Sequence, residues 1–336
     1  MTLNIALIGA GRIGKVHAQA IMTAIPDANI VAVADFYAAS ASSLATEYNI
    51  AFHTDNHLEA INYQGVDAVI IASSTDTHAP FIIDAAQAGK HIFCEKPIAA
   101  DLAKIDQALS AVAAAGVQLQ IGFNRRFDPT FARIKQAIQT DEIGTPQLLH
   151  IISRDPSPPP IDYIKVSGGM FFDMTIHDFD MARFLFGDVE EIYATGAVLV
   201  DEAIGVAGDI DTAIITLKFA NGAIGTIDNS RQAVYGYDQR VEAFGSKGSA
   251  TNTNLYPDAV SISNAQRVAR ASLPMNFFLE RYMDSYRIEL QAFVDAIQND
   301  RVVPVTGQDG RVPVVMAMAA KQSLLENRPV KLSEVG

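Results

Sequence analysis

The chain has 336 residues, 25 of them Lys or Arg against 38 Asp or Glu, for a formal net charge of −13. With 49% hydrophobic and 19% charged residues it has the material for about two packed domains and does not read as disordered. The acidic balance argues against nucleic acid or an anionic membrane as partner. The single cysteine, Cys94, excludes an intrachain disulfide and a cysteine-based zinc site, and no apolar run reaches the roughly 18–20 residues of a membrane span.

The N-terminus, MTLNIALIGAGRIG, has no basic stretch before its apolar run and carries glycines inside it. No signal peptide is expected, and the location expected is cytoplasmic. Short apolar runs follow one another at 4–9, 29–35, 67–73, 91–96 and 117–123. Their near-continuous hydrophobicity suits strands buried on both faces, as in a parallel sheet. Helical stretches lie between them at 14–25, 38–48, 78–89 and 102–115, the last with Asp101 as N-cap and Gly116 as stop. This β-α alternation predicts a doubly wound α/β domain over residues 1–122.

From residue 123 the pattern changes. A helix is predicted from Pro129 to about Asp141, a strand over 148–154 halted by the prolines of DPSPPP, and a helix over 173–186. A meander of strands follows at 191–200, 212–220, 223–231, 240–250 and 259–273, with Asn221-Gly222 and GSKG as turns. Helices at 276–299 and 309–327 end the chain. Residues 123–336 thus read as an α+β domain built on an open, mainly antiparallel sheet, and the helices of about 300–336 are candidates to pack back on the first domain.

Gly9, Gly11 and Gly14 form G-x-G-x-x-G between a predicted strand and a predicted helix. The first glycine allows a tight turn, the second lets backbone approach a pyrophosphate, and the third lets helix and strand close together. The helix start, with Arg12 and Ile13, supplies N–H donors and a partial positive charge. Asp35 ends the second strand about 20 residues further on, where a carboxylate accepts the ribose hydroxyls of the adenosine half and repels a 2′-phosphate. Phe36 and Tyr37 follow it rather than an arginine, so the expected cofactor is NAD, not NADP. Ser73, Ser74, Thr75 and His78 follow another strand end and face a ligand there; Thr75 or Thr77 alternatively serves as a helix cap. Glu95-Lys96-Pro97 ends the next strand, an unusual place for a lysine unless it serves a site. In GGMFFDMTIHD, Asp173 and His177 are four apart and would share one helix face, and a histidine is suited to taking a hydroxyl proton. No clustered His or HExxH supports a metal, and none is expected.

GAGRIG, the strand-end acid, STDTH, CEKP, GFNRRFD and GGMFFDMTIHDFD occur in fixed order. Together they resemble the glucose–fructose oxidoreductase/inositol dehydrogenase (Gfo/Idh/MocA) family over essentially the whole chain. The stretches from SRDPSPPP to FLFG, YGYDQRVEAFGSKG and NFFLERYMDSYRIELQAF look most like its inositol 2-dehydrogenase branch. The resemblance implies a Rossmann domain, an open sheet that serves as oligomer interface, commonly in tetramers, and NAD-dependent oxidation of an inositol ring hydroxyl within inositol catabolism. A sugar dehydrogenase or a non-catalytic NAD-binding regulator of the same family is the alternative. The implied catalytic residues are Lys96, Asp173 and His177, with Glu95 and Lys96 also beside the cofactor. The implied contacts to a neutral polyol are Arg125 or Arg126, Ser153, Asp155, Asp173, His177 and Tyr235. Some inositol dehydrogenases carry His and Asn where this chain has Ser153 and Asp155.

Overall fold

The computed structural model describes residues 2–336. They divide into two compact units, 2–127 with Met283–Val314, and Asp128–Tyr282 with Val315–Gly336. The division differs from a single boundary near residue 122, because its later crossings fall inside the two C-terminal helices.

The first unit runs β1 (Leu3–Ile8), α1 (Arg12–Ala24), β2 (Ala28–Ala34), α2 (Ala38–Tyr48), β3 (Phe52–Thr54), α3 (His57–Ile61), β4 (Ala68–Ile71), α4 (Thr75–Gln87), β5 (His91–Glu95), α5 (Leu102–Ala115) and β6 (Leu119–Gly122). Its six strands are all parallel, in the order β3-β2-β1-β4-β5-β6. Every residue of β4 and β6 is buried, as expected of strands covered on both faces. Strand order reverses between β1 and β4, and open α/β sheets bind ligands at the carboxyl edge of such a switch point. Phe93 and Phe293 meet edge-on at 6.0 Å in the core, each burial worth ~1.5–3 kcal/mol. Sequence reading passed over β3 and α3. Phe52-His53-Thr54 has one apolar residue and is held by its parallel register with β2, not by a pattern of its own.

The second unit runs α6 (Pro129–Gln139), β7 (Pro146–Arg154), α7 (Ile161–Ile164), α8 (Met170–Asp173), α9 (Ile176–Phe186), β8 (Val189–Ala197), α10 (Glu202–Val206), β9 (Thr212–Phe219), β10 (Ile224–Ser230), β11 (Asp238–Gly245), β12 (Gly248–Thr251), β13 (Ser261–Asn264) and β14 (Arg267–Ala271). The long helices α11 (Phe278–Gln298) and α12 (Gly307–Glu326) cross between units, and β15 (Val330–Lys331) ends the regular structure. The main sheet has the order β12-β11-β7-β10-β9-β8-β15, antiparallel except for the β7–β10 pair. β9 alternates buried and exposed residues, the signature of a sheet with one open face. Ile214, Ile224 and Phe244 are exposed on it.

Two expectations are corrected here. The strand expected over 259–273 is a separate hairpin of exposed residues, β13–β14. The helix expected over 173–186 is two helices, so Asp173 and His177 do not share one continuous helix face. Thr175 N–H donates five residues back, to Met170, and its hydroxyl donates to Asn229 at 2.6 Å. The chain therefore turns between Asp173 and Ile176 instead of winding on.

Candidate functional site

In the first unit the glycine turn leaves β1 and enters α1. Gly9 has φ +102°, and a Cβ there would lie 2.5 Å from the Ala72 carbonyl oxygen. A Cβ on Gly14 would lie 1.9 Å from the Gly9 carbonyl oxygen. A Cβ on Gly11 would meet no atom within 4 Å. Two glycines thus answer to the protein's own backbone, and the middle one faces open space. Gly11 is the N-cap of α1 and caps it with no side chain, and no acidic residue occupies the first turn. The N–H groups of a 13-residue helix are thereby presented beside the glycine turn with Arg12 and Ile13, which fits a diphosphate. Asp35 stands just past β2. One carboxylate oxygen accepts the Ala10 N–H at 2.7 Å and the other the Tyr37 N–H at 2.9 Å. These bonds hold the acid against the glycine turn.

The segment after β4 is tied to the segment after β5. Ser74 is the N-cap of α4, so neither Thr75 nor Thr77 caps it. The Thr77 hydroxyl donates to the Ser74 carbonyl at 2.7 Å and lies 2.6 Å from the Ser73 hydroxyl. His78 is 2% exposed, with Nδ1 2.8 Å from the Pro97 carbonyl and Nε2 3.1 Å from that of Ser73. Burial pushes its pKa down, against the pull of the two carbonyls. A neutral ring donates once, so only one of these carbonyls is bonded at a time; a bond from Nδ1 to Pro97 ties the segment after β4 to the segment after β5, and neither nitrogen is presented outward. Lys96 follows β5 and precedes Pro97, and Glu95 beside it receives His17 Nε2 at 2.8 Å. Arg125 and Arg126 sit in a short 3₁₀ turn after β6, and Arg126 pairs with Asp309 at 3.2 Å.

In the second unit Asp173 ends α8 and His177 is the second residue of α9. The Asp173 carboxylate accepts the Tyr163 hydroxyl at 2.8 Å on one oxygen and Arg231 at 3.2 Å on the other. Arg231 is 1% exposed and reaches Asp209 at 3.4 Å with its second terminal nitrogen. Asp209 accepts the Met170 N–H at 3.1 Å, at the start of α8. A Cβ on Gly169, whose φ is +89°, would come within 2.9 Å of the Asp209 carboxylate, so the glycine lets that acid approach. On the other side of the helix break, Asn229 donates to Asp178 at 2.9 Å and to the Ser153 carbonyl at 3.2 Å. Tyr163, Asp209, Asn229 and Arg231 are the supporting residues that sequence reading missed. Tyr163 comes from α7, just before α8, and the other three from elements far along the chain, which spacing in the sequence does not reveal.

The polyol-contact candidates separate by environment. Ser153 is fully buried, and its hydroxyl donates to Gln239 at 3.2 Å. Asp155 is half-buried just beyond β7, its backbone paired to Ser230 and Ala233. The Tyr235 hydroxyl donates to Asp238 at 2.5 Å and receives Arg154 at 3.3 Å. Burial, then the bond to Asp238, pushes that hydroxyl above its ordinary range. Among the described residues no helix is long and apolar enough to cross a membrane.

Residues 3–123 match the oxidoreductase family with an NAD-binding Rossmann fold, and residues 131–251 match the GFO/IDH/MocA C-terminal domain. The chain is 51% identical to YrbE of Bacillus subtilis, described as an uncharacterized oxidoreductase, over 97% of this chain and 95% of that one. It is 47% identical to myo-inositol 2-dehydrogenase of Thermotoga maritima over 99% of each. The crystal structure of scyllo-inositol dehydrogenase from Lactobacillus casei with bound NAD(H) and scyllo-inositol superposes with a TM-score of 0.92 at 28% identity, covering 99% of this chain and 100% of that one. With both domain signatures in place on a glycine turn built for a dinucleotide, the chain belongs to the GFO/IDH/MocA family of NAD-binding oxidoreductases.

Proposed function

We propose that the protein oxidises a ring hydroxyl of an inositol, myo- or scyllo-inositol, to the 2-keto-inositol. The observation that carries this reading is the likeness, over 99% of each chain, to a myo-inositol 2-dehydrogenase; we read Lys96, Asp173 and His177 as the catalytic residues. NAD, when bound, supplies the acceptor for the carbinol hydride. Gly9, Gly11, Arg12, Ile13, Gly14 and Asp35 would hold its adenosine and diphosphate part, and Ser73, Ser74, Thr75 and Glu95 would lie along it.

In this reading the Lys96 ammonium donates to the reacting oxygen and stabilises the charge that develops there. His177 takes the hydroxyl proton. Asp173, oriented by Tyr163 and Arg231, accepts from a substrate hydroxyl. Arg125, Arg126, Asp155 and Tyr235 supply directed donors and acceptors for the remaining hydroxyls. Ser153 acts from beneath, through its bond to Gln239. A neutral polyol suits this inventory, because each hydroxyl both donates and accepts. The assembly we propose is a homo-oligomer, a tetramer by family resemblance, working in the cytoplasm in inositol catabolism. Exposed Ile214, Ile224 and Phe244 on the open sheet face support burial against another copy.

The test is NADH formation across inositol stereoisomers, hexoses and sorbitol, with label transfer from substrate deuterated at the reacting carbon. One inositol should be oxidised far faster than sorbitol, since a misplaced hydroxyl leaves a buried polar group unpaired at ~1–3 kcal/mol. Activity on a hexose with none on any inositol would overturn the substrate assignment.

A further inference from the structure

Glu289 lies on the part of α11 that belongs to the first unit. It is 0% exposed, and neither carboxylate oxygen has a hydrogen-bond partner. Its backbone carbonyl accepts Gln120 Nε2 at 2.9 Å, which fastens the helix to β6 but leaves the carboxyl unserved. His17, on α1, is also 0% exposed; its Nε2 is bonded to Glu95, and its Nδ1 has no partner. One ligating atom from each of His17, Glu95 and Glu289 lies within 4.8 Å of the other two. Phe93 and Tyr286 close the cluster edge-on to the imidazole, at 5.2 and 5.9 Å. Gly122 leaves space for it, since a Cβ there would come within 3.2 Å of the Glu95 carboxyl.

The donor count is short. A carboxylate only accepts, so His17 Nε2 donates to Glu95, and Nδ1 is left without a partner. The Gln120 side-chain oxygen is a further buried acceptor without a partner. Two ionised carboxylates this close in an apolar interior are strongly disfavoured. Burial, with the Glu95 charge adding to it, holds the Glu289 carboxyl well above the usual carboxylate range. One proton on Glu289 removes the second charge and adds the missing donor. Of the titratable groups on these elements, those in the cluster or next to it are His17 on α1, Cys94, Glu95 and the adjoining Lys96 at the end of β5, and Tyr286 on α11; β6 brings only Gln120.

We propose that His17 and Glu289 are positioning residues for Lys96: His17 bonds the Glu95 carboxylate from one helix, Glu289 packs within 4.8 Å of it from another, and together they fix the strand end from which Lys96 projects. This rests on the reading of Lys96 as a catalytic group.

The test compares Glu289→Leu with Glu289→Gln in the full-length enzyme. Glu289→Leu should lower kcat about tenfold or more with KM and NADH affinity little changed, and Glu289→Gln, a neutral polar replacement, should restore kcat to within about threefold. A carboxylic-acid carbonyl band should be present in the infrared spectrum of the wild type at neutral pH and absent from Glu289→Gln. Stability gives a third readout. A carboxyl whose folded pKa lies above its unfolded value favours folding at low pH, and that contribution is lost as pH rises through the folded pKa. Glu289→Gln should therefore gain stability over wild type as pH rises. Equal loss of kcat in both variants, absence of the infrared band, or a stoichiometric metal ion in the purified enzyme whose removal by EDTA reproduces the Glu289→Leu defect would overturn the proposal. Lys96→Met with near-native kcat would overturn the lysine reading instead, and it would leave the infrared and stability results untouched.

Discussion

Arg231 donates to the Asp173 carboxylate at 3.2 Å from a position only 1% exposed, and its other terminal nitrogen lies 3.4 Å from Asp209. One guanidinium thus spans the end of α8 and the acid that receives the start of α8. Removing it leaves two largely buried carboxylates facing each other, so Arg231→Met should cost ~3–5 kcal/mol of stability. Arg231→Lys keeps the charge but not the planar fork. It should fold, with a smaller loss of stability and a reduced kcat, because Asp173 loses its orientation. Urea unfolding and NADH-formation rates measure the two effects; a native kcat in Arg231→Lys would detach the arginine from the site.

The three glycines of the turn make separable predictions. Gly14→Ala drives a Cβ into the Gly9 carbonyl, a backbone atom that cannot swing away, so it should destabilise the first unit and abolish NAD binding. Gly11→Ala places its Cβ in open space. It should leave the melting temperature near the wild-type value while raising the Kd for NADH. Thermal unfolding with and without NADH distinguishes them, and equal destabilisation in both variants would contradict the diphosphate role of Gly11.

The sequence made these glycines legible because their roles are local: strand, turn and helix lie within a dozen residues. Asp35 and Lys96 were legible for a related reason, since both stand at the carboxyl ends of strands whose buried pattern is plain. The turn between Asp173 and His177 was not. It depends on Thr175 and Asp178 meeting Asn229, and on Arg231 and Asp209 arriving from elsewhere in the unit; a spacing of four says nothing about such partners. Glu289 was hidden differently. A glutamate in an amphipathic helix reads as solvated, and only the fold shows it enclosed by α1, β5 and β6. His78 looked ligand-facing from its place after β4, whereas its nitrogens turn inward to two backbone carbonyls.

Asp35 is tied to the turn by its bond with Ala10 N–H, and its proposed role is to set cofactor choice. Asp35→Asn keeps an oxygen for that bond and removes the charge. It should hold the fold, raise KM for NAD about 10- to 100-fold, and narrow the preference over NADP, the size expected for losing charge-assisted bonds to the ribose. The ratio of kcat/KM for the two cofactors is the measurement. A wild type that prefers NADP would overturn the role.

His78 should impose acid sensitivity. Burial lowers its folded pKa below 6.5, so on acidification the unfolded chain takes up a proton that the folded chain refuses. Its stabilising contribution is complete above about 6.5 and falls as pH drops toward the folded value. Urea midpoints compared between about pH 7.5 and 5.5 should fall less in His78→Gln than in wild type; equal slopes would exclude His78 as the source.

The proposed reaction gives Lys96 and His177 each a share of one event. The hydroxyl proton must leave while negative charge builds on the same oxygen. His177→Ala should therefore lower kcat by ~10²–10⁴-fold, the usual loss on removing a general base. Lys96→Met should also lower kcat strongly while NADH binding stays measurable by fluorescence. Turnover in the wild type should rise with pH through the group that must be unprotonated, and in His177→Ala that limb of the profile should flatten. The double variant decides whether the two act as a unit or independently. Groups that work as a unit give losses far from additive, so the double variant should be little slower than the worse single. Multiplicative losses would show that Lys96 and His177 contribute independently, and the lysine would then be a cofactor or substrate anchor with no share in the proton transfer.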